Sequence, residues 1–283
     1  MLMVTPQTIV ATMDDLFGPE QAARWIRVPG VDDDKYRRGV VGFVTGSARY
    51  PGAAVLGVEA AARTGVGMIR YLGPGRPTRL VLQRRPEAVT VDGRVQAWVL
   101  GSGQDPAERD ESTAALLHAA LGQEVPVVLD AGALDLHTEA RGPVLVTPHA
   151  GELARVVGAT VDDIRADPAG AARDAARTLG ATVLLKGHTT HVATPDGGVL
   201  RVRSAPVWLA TAGAGDALGG ILGALLATHS ERIAEEPGVL APLAATGAVL
   251  HGLAADRASG GGPLTVLDLA AQLPRVIAGL LGA

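Results

Sequence analysis

The stretch "TAGAGDALGG", residues 211–220, sets Ala212, Gly213, Ala214 and Gly215 ahead of a lone carboxylate, Asp216, and then an apolar run. Amide hydrogens at the start of a helix have no intrahelical partner, and the helix dipole adds about half a positive charge there. Small residues let a phosphate come close enough to use both. Residues 212 to 215 therefore read as an anion hole at the start of a helix near Asp216. The carboxylate at its lip could take a proton from a hydroxyl attacking a phosphoryl group. The competing reading is an Asp that caps a Gly-rich turn. The loop is not a Walker loop, since G-x-x-x-x-G-K-[ST] occurs nowhere in the chain.

Other turns carry chemistry-bearing residues at what read as strand ends. In "VTPHAGE" (146–152), Pro148 fixes a turn and Glu152 suits the start of a helix. His149 between them could donate to a phosphate or orient a substrate, or serve the turn alone. No second His or carboxylate lies at metal-ligand spacing from it, so a metal site is not expected. "LLKGHTT" (184–190) places Lys186, Gly187, His188, Thr189 and Thr190 where backbone amides and hydroxyls could hold a nucleotide; a solvated loop is the alternative. "GSARYPGAA" (46–54) leaves space at a helix start around Gly52 and Ala53. "LGSGQD" (100–105) is an incomplete G-x-G-x-x-G, either a tight turn or a place where backbone meets substrate. Asp130 in "LDAGAL" (129–134) could help hold a magnesium-nucleotide or cap a turn, and the turn is the favoured reading.

These turns must be held by a scaffold, and the scaffold is legible. Short β-branched runs at 40–46, 67–73, 97–103, 125–134, 142–149 and 181–187 alternate with helical patterns at 52–65, 110–122, from Glu152 onward, and at 168–180. A hairpin is expected over 191–202, turning at Pro195–Gly198, and three helices over 215–229, about 238–257 and 266–281. Strands that are apolar throughout and separated by helices predict an α/β fold, its central, mostly parallel sheet covered by helices on both faces. No repeat or linker divides the chain, so residues 1–283 read as one domain. Ligands in such sheets gather at the carboxyl ends of the strands, where the distinctive residues cluster.

Composition narrows the function classes. The 283 residues are 47% hydrophobic, enough for a substantial core, and carry a net charge of −4, which argues against nucleic acid as the main partner. With no cysteine there is no disulfide, thiolate metal site or cysteine nucleophile, which suits a reducing cytoplasm. "MLMVTPQTIVATMDD" lacks the basic and apolar regions of a leader peptide. The most apolar window, from Val239, is interrupted by Pro242 and His251 and reads as a buried helix, not a membrane span.

Together the motifs "GSARYPGAA", "LGSG", "LDAGAL", "VTPHAGE", "LLKGHTT" and "TAGAGDALGG", in this order across residues 35 to 280, resemble the ribokinase-like superfamily and within it the ADP/ATP-dependent NAD(P)H-hydrate dehydratases. The resemblance implies a repair reaction. The hydroxyl that hydration leaves beside the nicotinamide ring nitrogen is phosphorylated from ADP or ATP with magnesium, and phosphate then departs to restore NAD(P)H. It implies Asp216 as the base, also touching the hydrate. Ala53, Gly103 and His149 would line the hydrate pocket, with Lys186 through Thr190 and Gly215 on the nucleotide and the amides of 212–215 facing the phosphoryl group. Two departures stand out: Ala212 and Ala214 replace a Gly and a Thr of the family's usual T-G-G-T-G-D, removing a hydroxyl, and G-P-G-L-G is shortened to Gly101–Gln104. The resemblance further implies a homotetramer, and a separate epimerase is expected because fewer than 40 residues precede the shared region. The rival readings are a small-molecule kinase of the same superfamily, of hydroxyethylthiazole or hydroxymethylpyrimidine type, and a nucleotide-binding regulator without turnover.

Overall fold

The computed structural model describes residues 16–282. The leader-peptide reading falls on residues 1–15, outside the described residues. Eight strands form one sheet: β1 (Val40–Val44), β2 (Met68–Tyr71), β3 (Ala97–Leu100), β4 (Val127–Leu129), β5 (Val144–Val146), β6 (Thr182–Leu185), β7 (Thr190–Ala193) and β8 (Val199–Val202). Their order across the sheet is β2-β1-β3-β4-β5-β6-β7-β8. The first six are parallel; β7 runs against β6 and β8 against β7, as the expected hairpin requires.

In chain order the helices are α1 (Pro19–Ala23), α2 (Gly52–Thr64), α3 (Gly75–Arg84), α4 (Glu111–Leu121), α5 (Ala150–Val157), α6 (Val161–Ala166), α7 (Pro168–Leu179), α8 (Ala214–Thr228), α9 (Ser230–Glu235), α10 (Leu240–Ser259) and α11 (Val266–Leu281). The two-residue period of a strand sends alternate side chains to opposite faces. Val41, Phe43, Val99, Val128 and Leu184 pack with α2, α8, α10 and α11, whereas Val40, Trp98, Leu100, Val127 and Leu185 pack with α4, α5, α6 and α7. This two-sided burial explains why the strands read as continuous apolar runs.

Helices α2 and α8 lie almost backbone to backbone. A Cβ added at Gly220 would fall 2.1 Å from the Gly57 carbonyl oxygen, so this contact tolerates no side chain. The stretch Pro237–Ser259 is long and apolar enough to cross a membrane by length and composition, yet 83% of its most apolar window is buried inside the fold. It is a core helix, as its interrupted pattern indicated.

The structure corrects several boundaries. The run at 125–134 is a strand only over Val127–Leu129, and from Ala131 the chain turns into a 3-10 segment ending at Glu139. Helix α5 starts at Ala150, two residues before Glu152, because His149 caps it. The short helices α1, α3, α6 and α9 were not anticipated. Most span one or two turns, too few for a periodic pattern to register.

Candidate active site

Helix α8 begins at Ala214, with Gly213 as its N-cap at φ +90. That left-handed backbone is open to glycine at little cost and strained for other residues. Asp216 is thus in the first turn, not at the cap, and caps nothing with its side chain, so the capping alternative is overturned. Gly213, Ala214, Gly215 and Asp216 line a cavity of about 850 Å³ on the α8–α10 side of the sheet. The same cavity is lined by His149, Lys186, Gly187, His188 and Thr190. Thr189 is in a neighbouring cavity across the Lys186–His188 turn, and Ala212, exposed, lines neither.

Asp130 is the residue that sequence reasoning undervalued. Its side chain accepts no capping hydrogen bond in the turn after β4. Its buried carboxylate instead accepts from Ser102 Oγ (3.0 Å), Thr147 Oγ1 (2.8 Å) and Lys186 Nζ (2.8 Å). The ends of β3, β4, β5 and β6 are thereby tied through one side chain. Burial pushes the Asp130 carboxyl up, but the Lys186 charge and these donors more than offset it and hold it below the ordinary range. Burial likewise lowers Lys186, and the charges of Asp130, Glu152 and Asp216 outweigh it, so the ammonium is held above its ordinary range. Ala131, next in the chain and also on the cavity wall, has φ +45, a strained left-handed conformation that a non-glycine residue rarely adopts. No sequence signal distinguishes this Asp from a turn residue, because its partners lie 17 to 56 positions away.

Asp216 sits in the field of that pair. Burial, then the Asp130 charge, push its pKa up to about 7, while Lys186 works the other way. A Cβ placed on Gly215 would lie 3.5 Å from Lys186 Nζ, so the ammonium stands directly over the first turn of α8. The arrangement is a carboxylate that can gain or lose a proton near neutrality, beside a fixed cation and the start of α8, where Ala214 N–H donates to the Thr211 carbonyl at 3.3 Å. His251 on α10 also lines the cavity; burial holds its pKa down at about 4, so it is a neutral wall residue.

His149 closes the other side. Its Nδ1 accepts from the backbone N–H of Gly151 (3.0 Å) and Glu152 (3.2 Å), and Glu152 returns a bond to the His149 N–H at 2.8 Å. With Nδ1 occupied as an acceptor, the neutral ring carries its proton on Nε2, which lies 3.5 Å from Glu152 Oε1 and can donate to a ligand. Cap and donor are therefore one residue. A bridge between His149 and Lys186, with Lys186 N–H donating to the Pro148 carbonyl at 2.9 Å, brings the two motifs together.

Ala53 and Gly103 do not line this cavity. They meet each other beyond it: a Cβ on Gly103 would be 2.4 Å from that of Ala53. The turns they belong to are joined by a Gly46 N–H bond to the Ser102 carbonyl at 2.7 Å. Thr45 Oγ1 and Gln104 Oε1, in the same two turns, are buried without hydrogen-bond partners.

Comparison with known proteins agrees with this geometry. Residues 41–274 match the Carb_kinase family, described as NAD(P)H-hydrate dehydratase. The chain is 47% identical over 219 residues to the bifunctional NAD(P)H-hydrate repair enzyme Nnr of Mycobacterium tuberculosis, covering 73% of this chain and 44% of that one. It is 39% identical over 243 residues to the ADP-dependent (S)-NAD(P)H-hydrate dehydratase of Neisseria meningitidis serogroup B, covering 80% and 79%. The chain thus spans under half the length of the mycobacterial relatives it matches. Among solved structures, the ADP/ATP-dependent NAD(P)H-hydrate dehydratase of Bacillus subtilis, co-crystallized with ATP/Mg2+, superposes with a TM-score of 0.83 at 26% identity, covering 95% of this chain and 100% of that one. The eight-stranded α/β sheet is ribokinase-like, shared also with a ribokinase-like superfamily protein of Enterococcus faecalis at a TM-score of 0.81 and 21% identity, over 95% of this chain and 96% of that one. From the second residue of β1 to the middle of α11, and with Asp216, Lys186 and His149 on one cavity, the chain belongs to the NAD(P)H-hydrate dehydratase family.

Proposed function

We propose that this chain carries out the ADP- or ATP-dependent dehydration of (6S)-NAD(P)H hydrate to NAD(P)H. The observation that carries the reading is Asp216: a carboxylate with a pKa of about 7, in the first turn of α8, with Lys186 beside it. Asp216 takes the proton of the ring hydroxyl as that oxygen bonds to the terminal phosphorus of the nucleotide, and the bond from phosphorus to the nucleotide's bridging oxygen breaks. The amides at 212–215 and the Lys186 ammonium stabilise charge on the migrating phosphoryl group. The ring nitrogen's electron pair then expels inorganic phosphate, and loss of a proton from the adjacent carbon restores the ring double bond. Lys186 through Thr190 and Gly215 are assigned to the nucleotide. His149, through Nε2–H, Ala53 and Gly103 are assigned to the hydrate; the last two sit where the strand order reverses between β1 and β3, a place where such sheets bind ligands.

A magnesium ion fits here only as part of the nucleotide. Among the described residues no group of three or more His, Cys, Asp or Glu side chains could hold a metal, and Asp130 is committed to Lys186. Phosphate oxygens and water would supply most of the ion's ligands. We also assign residues 1–283 to one domain acting as a cytoplasmic homotetramer; the mycobacterial relative is named as bifunctional, and this chain spans 44% of its length. The single sheet shared by all eight strands supports the first of these assignments.

The test is incubation with NADHX or NADPHX and ADP or ATP in parallel. Recovery of the near-ultraviolet absorbance of reduced nicotinamide, with release of inorganic phosphate, supports the reading. A stable phosphoester on a thiazole or pyrimidine alcohol, with no recovery, would make the chain a kinase of the same fold.

A further inference from the structure

Helix α10 packs on α8, on β8 and on the Val207–Leu209 segment, and it contributes Ala248 and His251 to the wall of the cavity that holds Asp216. The wall on this side is mostly apolar. Pro206, Val207 and Leu209 come from the connection between β8 and α8, and Leu218 from the second turn of α8. With the phosphates assigned to the start of α8 and to Lys186, the part of a nucleotide that suits such a surface is its planar base. His251 puts a polar ring into it. Behind the ring, Gly252 packs against Ser204, another wall residue: a Cβ added there would fall 2.7 Å from the Ser204 carbonyl carbon. That contact fixes α10, and His251 with it, against the chain that leaves β8.

His251 is 7% exposed, so its ring nitrogens need partners within the fold or from a ligand. One is met: the imidazole bonds to the backbone of Ala214, the first residue of α8. The other is not. Nε2 is buried without a hydrogen-bond partner, so the bond to Ala214 belongs to Nδ1. That bond favours the protonated ring, the mark of Nδ1–H donating, but burial outweighs it and keeps the ring neutral. A neutral imidazole with its proton on Nδ1 leaves Nε2 a lone pair and no hydrogen. Nε2 is thus an acceptor shielded from water, on a residue that lines a ligand-sized cavity.

We infer that His251 selects the base of the nucleotide, its Nε2 accepting a hydrogen bond from the exocyclic amino group of adenine. The inference rests on the assignment of the nucleotide to the Asp216 cavity. A purine that carries a carbonyl in place of that amino group would set one lone pair against another where no water screens them. The site therefore favours a 6-amino purine and rejects a 6-oxo purine, by attraction to the first and repulsion of the second.

ADP and inosine diphosphate are the probes, since they differ in the base alone. Binding of each is measured calorimetrically on the full chain and on two variants, His251→Leu and His251→Phe. Both remove the acceptor and keep an apolar side chain on an apolar wall, and melting curves show which of them fold. The wild type is expected to bind ADP about tenfold or more tightly than inosine diphosphate. Either folded variant should bring the two within about threefold of each other, chiefly by weakening ADP. Equal binding of both nucleotides by the wild type overturns the inference whether or not a variant folds. So does a folded variant that loses both nucleotides by the same factor, which would confine His251 to holding the start of α8. Failure of the wild type to bind ADP overturns the nucleotide assignment as well, whereas ADP bound without preference overturns this inference alone.

Discussion

The Nζ of Lys186 lies 2.8 Å from Oδ1 of Asp130, with the carboxylate buried and the ammonium half-hidden beneath the start of α8. The pair is not an isolated surface contact of small worth. It sets the electrostatics that Asp216 experiences, because one member raises and the other lowers the pKa of that carboxylate.

Replacing Asp130 with Asn should therefore act at two levels. Lys186 keeps only Glu152, at 3.6 Å, as a carboxylate partner, and unfolding free energy should fall by about 3 kcal/mol in denaturant titration. Asp216 loses its nearest negative neighbour, so the acid limb of kcat/KM against pH should move down by about one unit. An unmoved limb would separate Asp130 from the proton chemistry.

Asp216→Asn should remove activity and add stability. As a base Asp216 works ionised, so wild-type kcat/KM should fall as pH drops through about 7. The variant should lose roughly 100- to 10,000-fold while keeping nucleotide affinity. The sign for stability is opposite. Because the folded pKa is raised above the unfolded value of 3.8, ionisation costs the fold as pH rises from about 4 to about 7 and no more beyond that. The Asn variant should match wild type at pH 4 and exceed it by roughly 3 kcal/mol at pH 8, read from thermal melts.

His149 allows its two roles to be parted. His149→Asn retains an acceptor suited to the cap, whereas His149→Ala loses it and should cost about 1 kcal/mol. Both lose the Nε2–H donor, so both should raise KM for the hydrate with little change in KM for the nucleotide. If Asn restores the hydrate KM as well as the stability, His149 is a cap and nothing more.

Glu59 carries a prediction away from the active site. Its side chain is fully buried on α2 and bonded to Arg63, Arg84 and Arg85. Burial alone would raise its pKa, but hydrogen bonds from Arg85, Arg63 and Arg84 overcome that and bring it to about 2. A depressed carboxylate stabilises the fold above its unfolded pKa of 4.5, and that contribution, about 3 kcal/mol, should be lost as pH falls from about 4.5 through 2. Glu59→Gln should flatten the acid-unfolding curve over that window and destabilise at pH 7 by about 3–5 kcal/mol.

Local chemistry was enough to read much of this molecule. Alternation of apolar runs and helical patterns determined the layered sheet, since burial on both faces leaves its mark on every strand. The small residues 212–215 before Asp216, and Pro148–His149 before Glu152, announced two helix starts, because capping and dipole effects act within a single turn. What only the tertiary structure decided lies between distant segments. Asp130 looked like a turn residue until Ser102, Thr147 and Lys186 converged on it from three other strands. The near-neutral pKa of Asp216 follows from burial and from a charge 86 positions away in the chain, neither of which leaves a trace in its neighbours. Dielectric environment and through-space charge depend on which surfaces pack together, so they belong to the fold and not to any motif.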